Sequence, residues 1–340
     1  MPGTVTEIQP GLWRIRLPFN FELNHINVHL LRLEKGYLLV DCGIGTEACF
    51  AALESALAAL GVEWTEIKVV VLTHCHPDHV GLAPRVLELS RARALMHAVE
   101  IRHLHSVADW ADHPEAMDGK LIEWGVPEDR IHEITKAFVN VRRSFQRLEK
   151  VEALGGGEVL YTGIGPLETV WTPGHSPGHL CLYASRDQLL LSGDHVLPSI
   201  TPNIAWMPEA DSLADYLRAL DQVSTLKVKT VLPSHGDPFT DLAGRTRETV
   251  AHHESRCGQI LRVVAEEGHT PHEIAGHLWR NTLSPFQQRF ALFEVMAHMV
   301  YLERRGQVVH ELLGGVGHWS CVQHGTFPSA GAYQMRRMVP

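Results

Sequence analysis

Short apolar runs alternate with polar turns through the first two thirds of the chain, and several of the runs end directly on histidine or aspartate. Val28–Leu33 and Tyr37–Val40 are split by Glu34-Lys35-Gly36, which predicts a hairpin, and the second run ends in Asp41-Cys42-Gly43. Residues 46–60 are rich in Ala and Leu and open at Thr46, a side chain suited to capping, so a helix is expected there. Four later segments share one pattern. Val69–Leu72 leads into Thr73-His74-Cys75-His76-Pro77-Asp78-His79, and Leu167–Trp171 leads into Pro173-Gly174-His175. Leu189–Leu191 leads into Ser192-Gly193-Asp194-His195, and Val228–Leu232 into Pro233-Ser234-His235-Gly236. Each reads as a short buried strand that delivers polar groups to the loops at one sheet edge.

Between His97 and about Lys150 this rhythm stops, and apolar and charged residues recur at helical spacing, with Trp110, Trp124, Phe138 and Phe145 among them. A helical insertion at about 98–150 is expected. After Asp241 the alternation ends. Residues 248–267 read as a helix, Thr270-Pro271-His272-Glu273 opens a second, 286–304 a third, and 306–309 a short strand.

Composition narrows the class. A length of 340 residues suggests about two domains, and 45% hydrophobic with 20% charged residues is ordinary for a globular chain. No apolar run approaches the ~20 residues of a membrane-spanning helix, and the opening residues show no secretory pattern. The six cysteines lack CxxC spacing and read as reduced thiols, so a cytoplasmic location is expected. A net charge of −9 disfavours polyanions and membrane surfaces as partners. The unusual number is 23 histidines against 30 Lys plus Arg, which directs the search to metal sites.

His74-x-His76-x-Asp78-His79 is the strongest signal. Histidines at i and i+2 off a strand end can aim both rings one way, and Asp78 and His79, around the turn, can face a second position nearby. Imidazole nitrogen with carboxylate oxygen suits zinc, iron or manganese. His175, Asp194 and His235 bring the ligand-type residues to seven, enough for two ions if Asp194 bridges them. A lone histidine at a strand end is usually a hydrogen-bonded structural residue. Seven such groups at four consecutive strand ends are not coincidence.

THCHPDH, TPGHSPGH, SGDH and SHG, in that order, resemble the metallo-β-lactamase-fold hydrolase superfamily over about residues 1–240. The resemblance implies an α+β fold, an αββα sandwich with metals at one edge. It also implies His74, His76 and His175 on one divalent ion and Asp78, His79 and His235 on the other, with Asp194 bridging and Asp41 supporting the ligand loops. Zinc is the expected metal, with iron or manganese as alternatives. True β-lactamases lack an aspartate at the Asp194 position, which points instead to the glyoxalase II-like branch and that of β-lactamase-like protein 2. Residues 245–312 resemble the small winged-helix domain of the latter branch, leaving 313–340 as a tail. Residues 241–312 hold eight arginines against nine acidic residues, so packing or homodimerisation is expected of this domain rather than nucleic-acid contact.

The resemblance implies a binuclear hydrolase in which a bridging hydroxide cleaves an ester or thioester of a small acyl compound, acyl-CoA or acyl-glutathione in type, with Asp78 as ligand and base. An endoribonuclease and a sulfur-dioxygenase-like iron oxidoreductase are the alternatives. Further candidates are His179 and His195 beside the ligands, Asn24 and Asn27 at the pocket edge, His103 and His105 in the insertion, and Trp206 and Met207 as substrate wall. Cys75 is expected to be buried and inert. The insertion, through its four aromatics, is expected to act as a lid.

Overall fold

A computed structural model describes residues 3–19, 24–112, 115–142, 148–265, 267–280 and 283–322. The first sheet runs in chain order: β1 (Thr4–Gln9), β2 (Leu12–Pro18), β3 (His25–Arg32), β4 (Tyr37–Val40), β5 (Ile67–Val71), β6 (Arg93–His97) and β7 (Val151–Leu154). The first four strands are antiparallel, including the β3–β4 hairpin expected from the sequence. From β4 to β7 the pairing is parallel. Parallel neighbours need crossovers. They are supplied by α1 (Glu47–Ala59), by α2 (Pro77–Val80) with α3 (Ala83–Ser90), and by the insertion helices α4 (Ala98–Asp112), α5 (Glu115–Glu123) and α6 (Glu128–Arg142). Thr46 caps α1 by accepting from the Cys49 amide, as its position in the sequence suggests.

The second sheet contains β8 (Val159–Thr162), β9 (Gly165–Trp171), β10 (Leu180–Ala184), β11 (Leu189–Gly193) and, after α7 (Ser212–Ser224), β12 (Thr230–Pro233). Its order is β12-β11-β10-β9-β8. Side chains alternate across each strand, so a strand that is apolar throughout must be covered on both faces. Leu38, Val40, Val71 and Leu95 of the first sheet meet Leu180, Leu182, Leu189 and Leu191 of the second. Leu39 and Val70 turn the other way, onto Phe50, Leu53 and Val86 of α1 and α3. Cys181, Leu190 and Val231 turn outward onto Leu213 and Leu220 of α7. The result is the expected αββα sandwich.

Three helices and a hairpin follow: α8 (Leu242–Val263), α9 (Pro271–Trp279), α10 (Pro285–Glu303), β13 (Val308–Leu313) and β14 (Val316–Cys321). β14 lies where the sequence reading set the start of a tail. Gly314 and Gly315, at φ 61° and 90°, form the two-residue turn that pairs it with β13.

Trp124 departs from the lid expectation. It is 1% exposed and packs edge-on to Trp206 (5.3 Å) and Phe293 (5.2 Å), in a core shared by the insertion, the second sheet and the C-terminal helices. The His272 amide donates to the Trp124 carbonyl (3.0 Å), and α6 packs on α10. Trp206, expected as substrate wall, belongs to this same packing. The side chains of Trp110 and Phe138, and the whole of Phe145, lie outside the described residues. Trp124→Ala is expected to cost about 3–5 kcal/mol of stability in chemical denaturation. A loss below about 1 kcal/mol would contradict a common core for the insertion and the C-terminal helices.

Candidate metal centre

Strands β4, β5, β9, β11 and β12 all end at one edge of the sandwich, and the next few residues of each carry the chemistry. After β4, Asp41 adopts φ 60°, a left-handed conformation that non-glycine residues seldom take. Its carboxylate shows what holds it there. It accepts from the Thr73 amide (2.8 Å), the Thr73 hydroxyl (2.8 Å) and His79 Nδ1–H (2.8 Å). After β5, Pro77 at the first position of α2 turns the chain at once into a helical turn, carrying Asp78 and His79 round beside His74 and His76.

The seven expected side chains converge as two groups. His74, His76 and His175 form one, and Asp78, His79, Asp194 and His235 the other, with the ligand atoms in each within 4.8 Å of one another. Asp194 faces both. Its Oδ2 is 3.6 Å from His175 Nε2, and its Oδ1 is 3.5 Å from His79 Nε2 and 3.6 Å from His235 Nε2. Asp78 Oδ2 lies 3.2 Å from His235 Nε2.

Ring tautomers follow from what stands behind each histidine. His175 Nδ1–H donates to the Asn203 carbonyl (2.9 Å) and His235 Nδ1–H to the His25 carbonyl (2.8 Å), since a carbonyl can only accept. With Asp41 behind His79, three rings are fixed with Nε2 facing inward. Those Nε2 atoms and Asp194 Oδ1 are buried, and none has a hydrogen-bond partner among the described residues. Buried unsatisfied polar atoms cost about 1–3 kcal/mol each, and four at one point fit cations that would complete them.

Charge distribution agrees. Burial pushes His74 and His76 well below the ordinary imidazole range. Burial also opposes charge on His79, but Asp41, Asp194 and Asp78 outweigh it and hold that ring well above its usual value. Burial likewise opposes charge on His235, yet Asp194 and Asp78 push it up to about 10.

Other sequence candidates take supporting places. His179 Nε2 accepts from the Asp194 amide (3.1 Å), and its Nδ1–H donates to Thr172 (2.8 Å), so it holds the Asp194 backbone. His195 is buried edge-on to Tyr216. Asn27 donates to the Pro233 (3.0 Å) and Gly236 (2.8 Å) carbonyls, bracketing the His235 loop, while Asn24 accepts from His25 Nδ1–H (2.7 Å). His105 reaches the Leu148 carbonyl, a structural contact within the insertion. Cys75 is fully buried, and burial with the nearby Glu100 charge pushes its thiol well up, as expected of an inert cysteine. Sequence reasoning missed Thr73, the Asn203 carbonyl and Glu100 as supports. Thr73 heads the His74–His79 run but is not a ligand type, and each of the three acts across the fold or through its backbone.

Asp194→Ala removes the carboxylate whose two oxygens face different groups. Metal analysis is expected to fall from about two ions per chain to about one or fewer, with hydrolytic turnover lost. Full occupancy with full turnover in this variant would rule out a shared aspartate.

Residues 22–235 match the metallo-beta-lactamase superfamily, and residues 257–318 the metallo-beta-lactamase-like C-terminal domain. "Probable metallo-hydrolase YqjP" of Bacillus subtilis is 27% identical over 277 residues, covering 78% of this chain and 84% of that protein. "Atrochrysone carboxyl ACP thioesterase" of Aspergillus fumigatus is 21% identical over 315 residues, covering 89% of this chain and 83% of that protein. The crystal structure of a beta-lactamase domain protein from Burkholderia ambifaria superposes with a TM-score of 0.84 at 31% identity, covering 95% of this chain and 96% of that one. With the site and the sandwich in agreement, the chain belongs to the metallo-β-lactamase superfamily.

Proposed function

We propose that the protein is a binuclear metal-dependent hydrolase that opens the ester or thioester bond of a small acyl compound, acyl-CoA or acyl-glutathione in type. The observation that carries this reading is Asp194, whose two carboxylate oxygens are turned to different histidine groups. His74, His76 and His175 would hold one divalent ion, and Asp78, His79 and His235 the other, with zinc the metal best matched to this nitrogen-rich set. Bound there, the ions supply Lewis acidity at the carbonyl oxygen and bring water near the pKa at which it attacks at neutral pH.

The chain's own groups prepare that chemistry. Asp41, the Asn203 carbonyl and the His25 carbonyl fix the rings, so no reorientation is needed when charge develops. Asp78 is the more exposed of the two carboxylates, at 14% against 10%, and would take the proton of the attacking water at its carboxylate oxygen. The thioesterase among the relatives supports the choice of bond. All six cysteines are free, which goes with a reduced cytoplasmic setting in which CoA and glutathione thioesters occur. The C-terminal domain, read as winged-helix-like, puts Ile260, Ile274 and Phe293 into one core with Leu190 and Val231, which supports packing as its role.

A panel of acyl-CoA, acyl-glutathione, lactone, β-lactam and RNA substrates tests the reading with metal-loaded protein. Thioesters are expected to exceed the chromogenic β-lactam nitrocefin by at least about 100-fold in kcat/KM, a difference of about 2.7 kcal/mol in transition-state binding. RNA cleavage in the absence of thioesterase activity would overturn the assignment in favour of a nuclease.

A further inference from the structure

Glu100 stands outside the seven converging side chains, in the first turn of α4, and is fully buried. Its Oε1 accepts from the Cys75 amide (2.8 Å) and from the Ser176 hydroxyl, and its Oε2 accepts from the Gly178 amide (2.7 Å). Cys75 is the residue between His74 and His76. Ser176 and Gly178 belong to the turn that follows His175. One carboxylate therefore joins the two loops that carry all three members of a single histidine group. Among the described residues its hydrogen bonds reach only those loops. The fit against Gly178 is close: a Cβ there would collide with the Glu100 backbone.

Burying a carboxylate costs several kcal/mol, and hydrogen bonds recover only part of it. An apolar contact could tie α4 to these loops at lower cost. A negative charge at this place does something an apolar contact cannot. It fixes the backbone on either side of His74, His76 and His175 and adds an attractive potential toward a cation held among them. We infer that Glu100 is a positioning residue for the ion at His74, His76 and His175, acting through the Cys75 and Ser176–Gly178 backbone. It sets the affinity of that position and leaves the Asp78–His79–His235 position unaffected. The inference rests on the metal-site reading of the seven residues but not on the choice of substrate.

Glu100→Gln is the decisive variant. Either way round, its amide nitrogen faces a backbone N–H, of Cys75 or of Gly178, and one loop is released. Metal-free wild type and variant are titrated with Zn²⁺ by calorimetry, the two steps being assigned with His76→Ala and His235→Ala. The step belonging to His74, His76 and His175 is expected to weaken about 10–100-fold, while the other stays within about threefold. The Co²⁺ absorption spectrum of the first position is expected to change as well. Ser176→Ala, which removes one contact and leaves the charge, should weaken the same step less. Combined with Glu100→Gln it should add little, as two changes to one clamp do. Equal weakening of both steps alongside a lowered Tm would make Glu100 a fold residue only and overturn the inference, as would two unchanged steps. Should Glu100→Gln fail to fold, an unchanged first step in Ser176→Ala overturns it. Wild-type protein that takes up no ion would instead defeat the metal reading itself.

Discussion

Three imidazole rings of the converging groups, those of His79, His175 and His235, have their Nδ1 protons committed to acceptors behind them, and that commitment decides what their other edges must do. With His79 on Asp41, His175 on Asn203 and His235 on His25, three Nε2 atoms face Asp194 in a buried space. Lone pairs and carboxylate oxygens cannot satisfy one another. Only positive charge reconciles them, whether protons on His79 and His235 or metal cations. The remaining architecture can be understood as the means of holding this arrangement against its own repulsion.

Rigidity comes from strands that cannot shift register. β4 and β10 are buried and apolar on both faces, so a slip by one residue would exchange the side chains between the sheets for those packed under helices. The ligand loops leave strand ends that are fixed in this way, and the strained backbone at Asp41 is tolerated because its carboxylate is bound three times over. Strain at this position faces the Thr73–His79 loop directly. Cost and benefit are therefore local to the same few residues.

This explains which parts were legible in the sequence. The candidate ligands follow their strands within a few residues, so periodicity and residue type locate them together. His74, His76, Asp78 and His79 need no knowledge of the fold to be grouped. Glu100 is 25 residues from Cys75 and 76 from Ser176, inside a helix whose charges all look like solvated ones. Asn203 acts through its carbonyl, and a carbonyl has no sequence signature. Trp124 was legible as an important aromatic but not as to its partner, because Trp206 and Phe293 reach it only through tertiary packing. Local signals report chemistry well, and they are silent on which distant surface an apolar face will choose.

That silence matters most for the C-terminal domain, which the sequence presents as an appendage. Its helix α10 comes within two hydrogen bonds of a candidate ligand. His175 donates to the Asn203 carbonyl, and the Asn203 amide donates to Glu294 Oε2 (3.2 Å), which is also paired with Arg256 of α8 (Oε1, 3.2 Å). The Trp206 amide donates to the Phe293 carbonyl (3.0 Å), tying the same loop to the same helix a second time. Burial raises the Glu294 carboxyl, yet Arg256 and Asn203 oppose the shift, so the group is held by partners on either side of the domain boundary. The loop after Asp194 is thus tied to α10 at Asn203 and Trp206, and to α8 through the Arg245 guanidinium, which donates to the Leu197 and Ile200 carbonyls. The insertion and the appended helices, packed on one another through Trp124, therefore stand behind the loop whose Asn203 carbonyl orients His175.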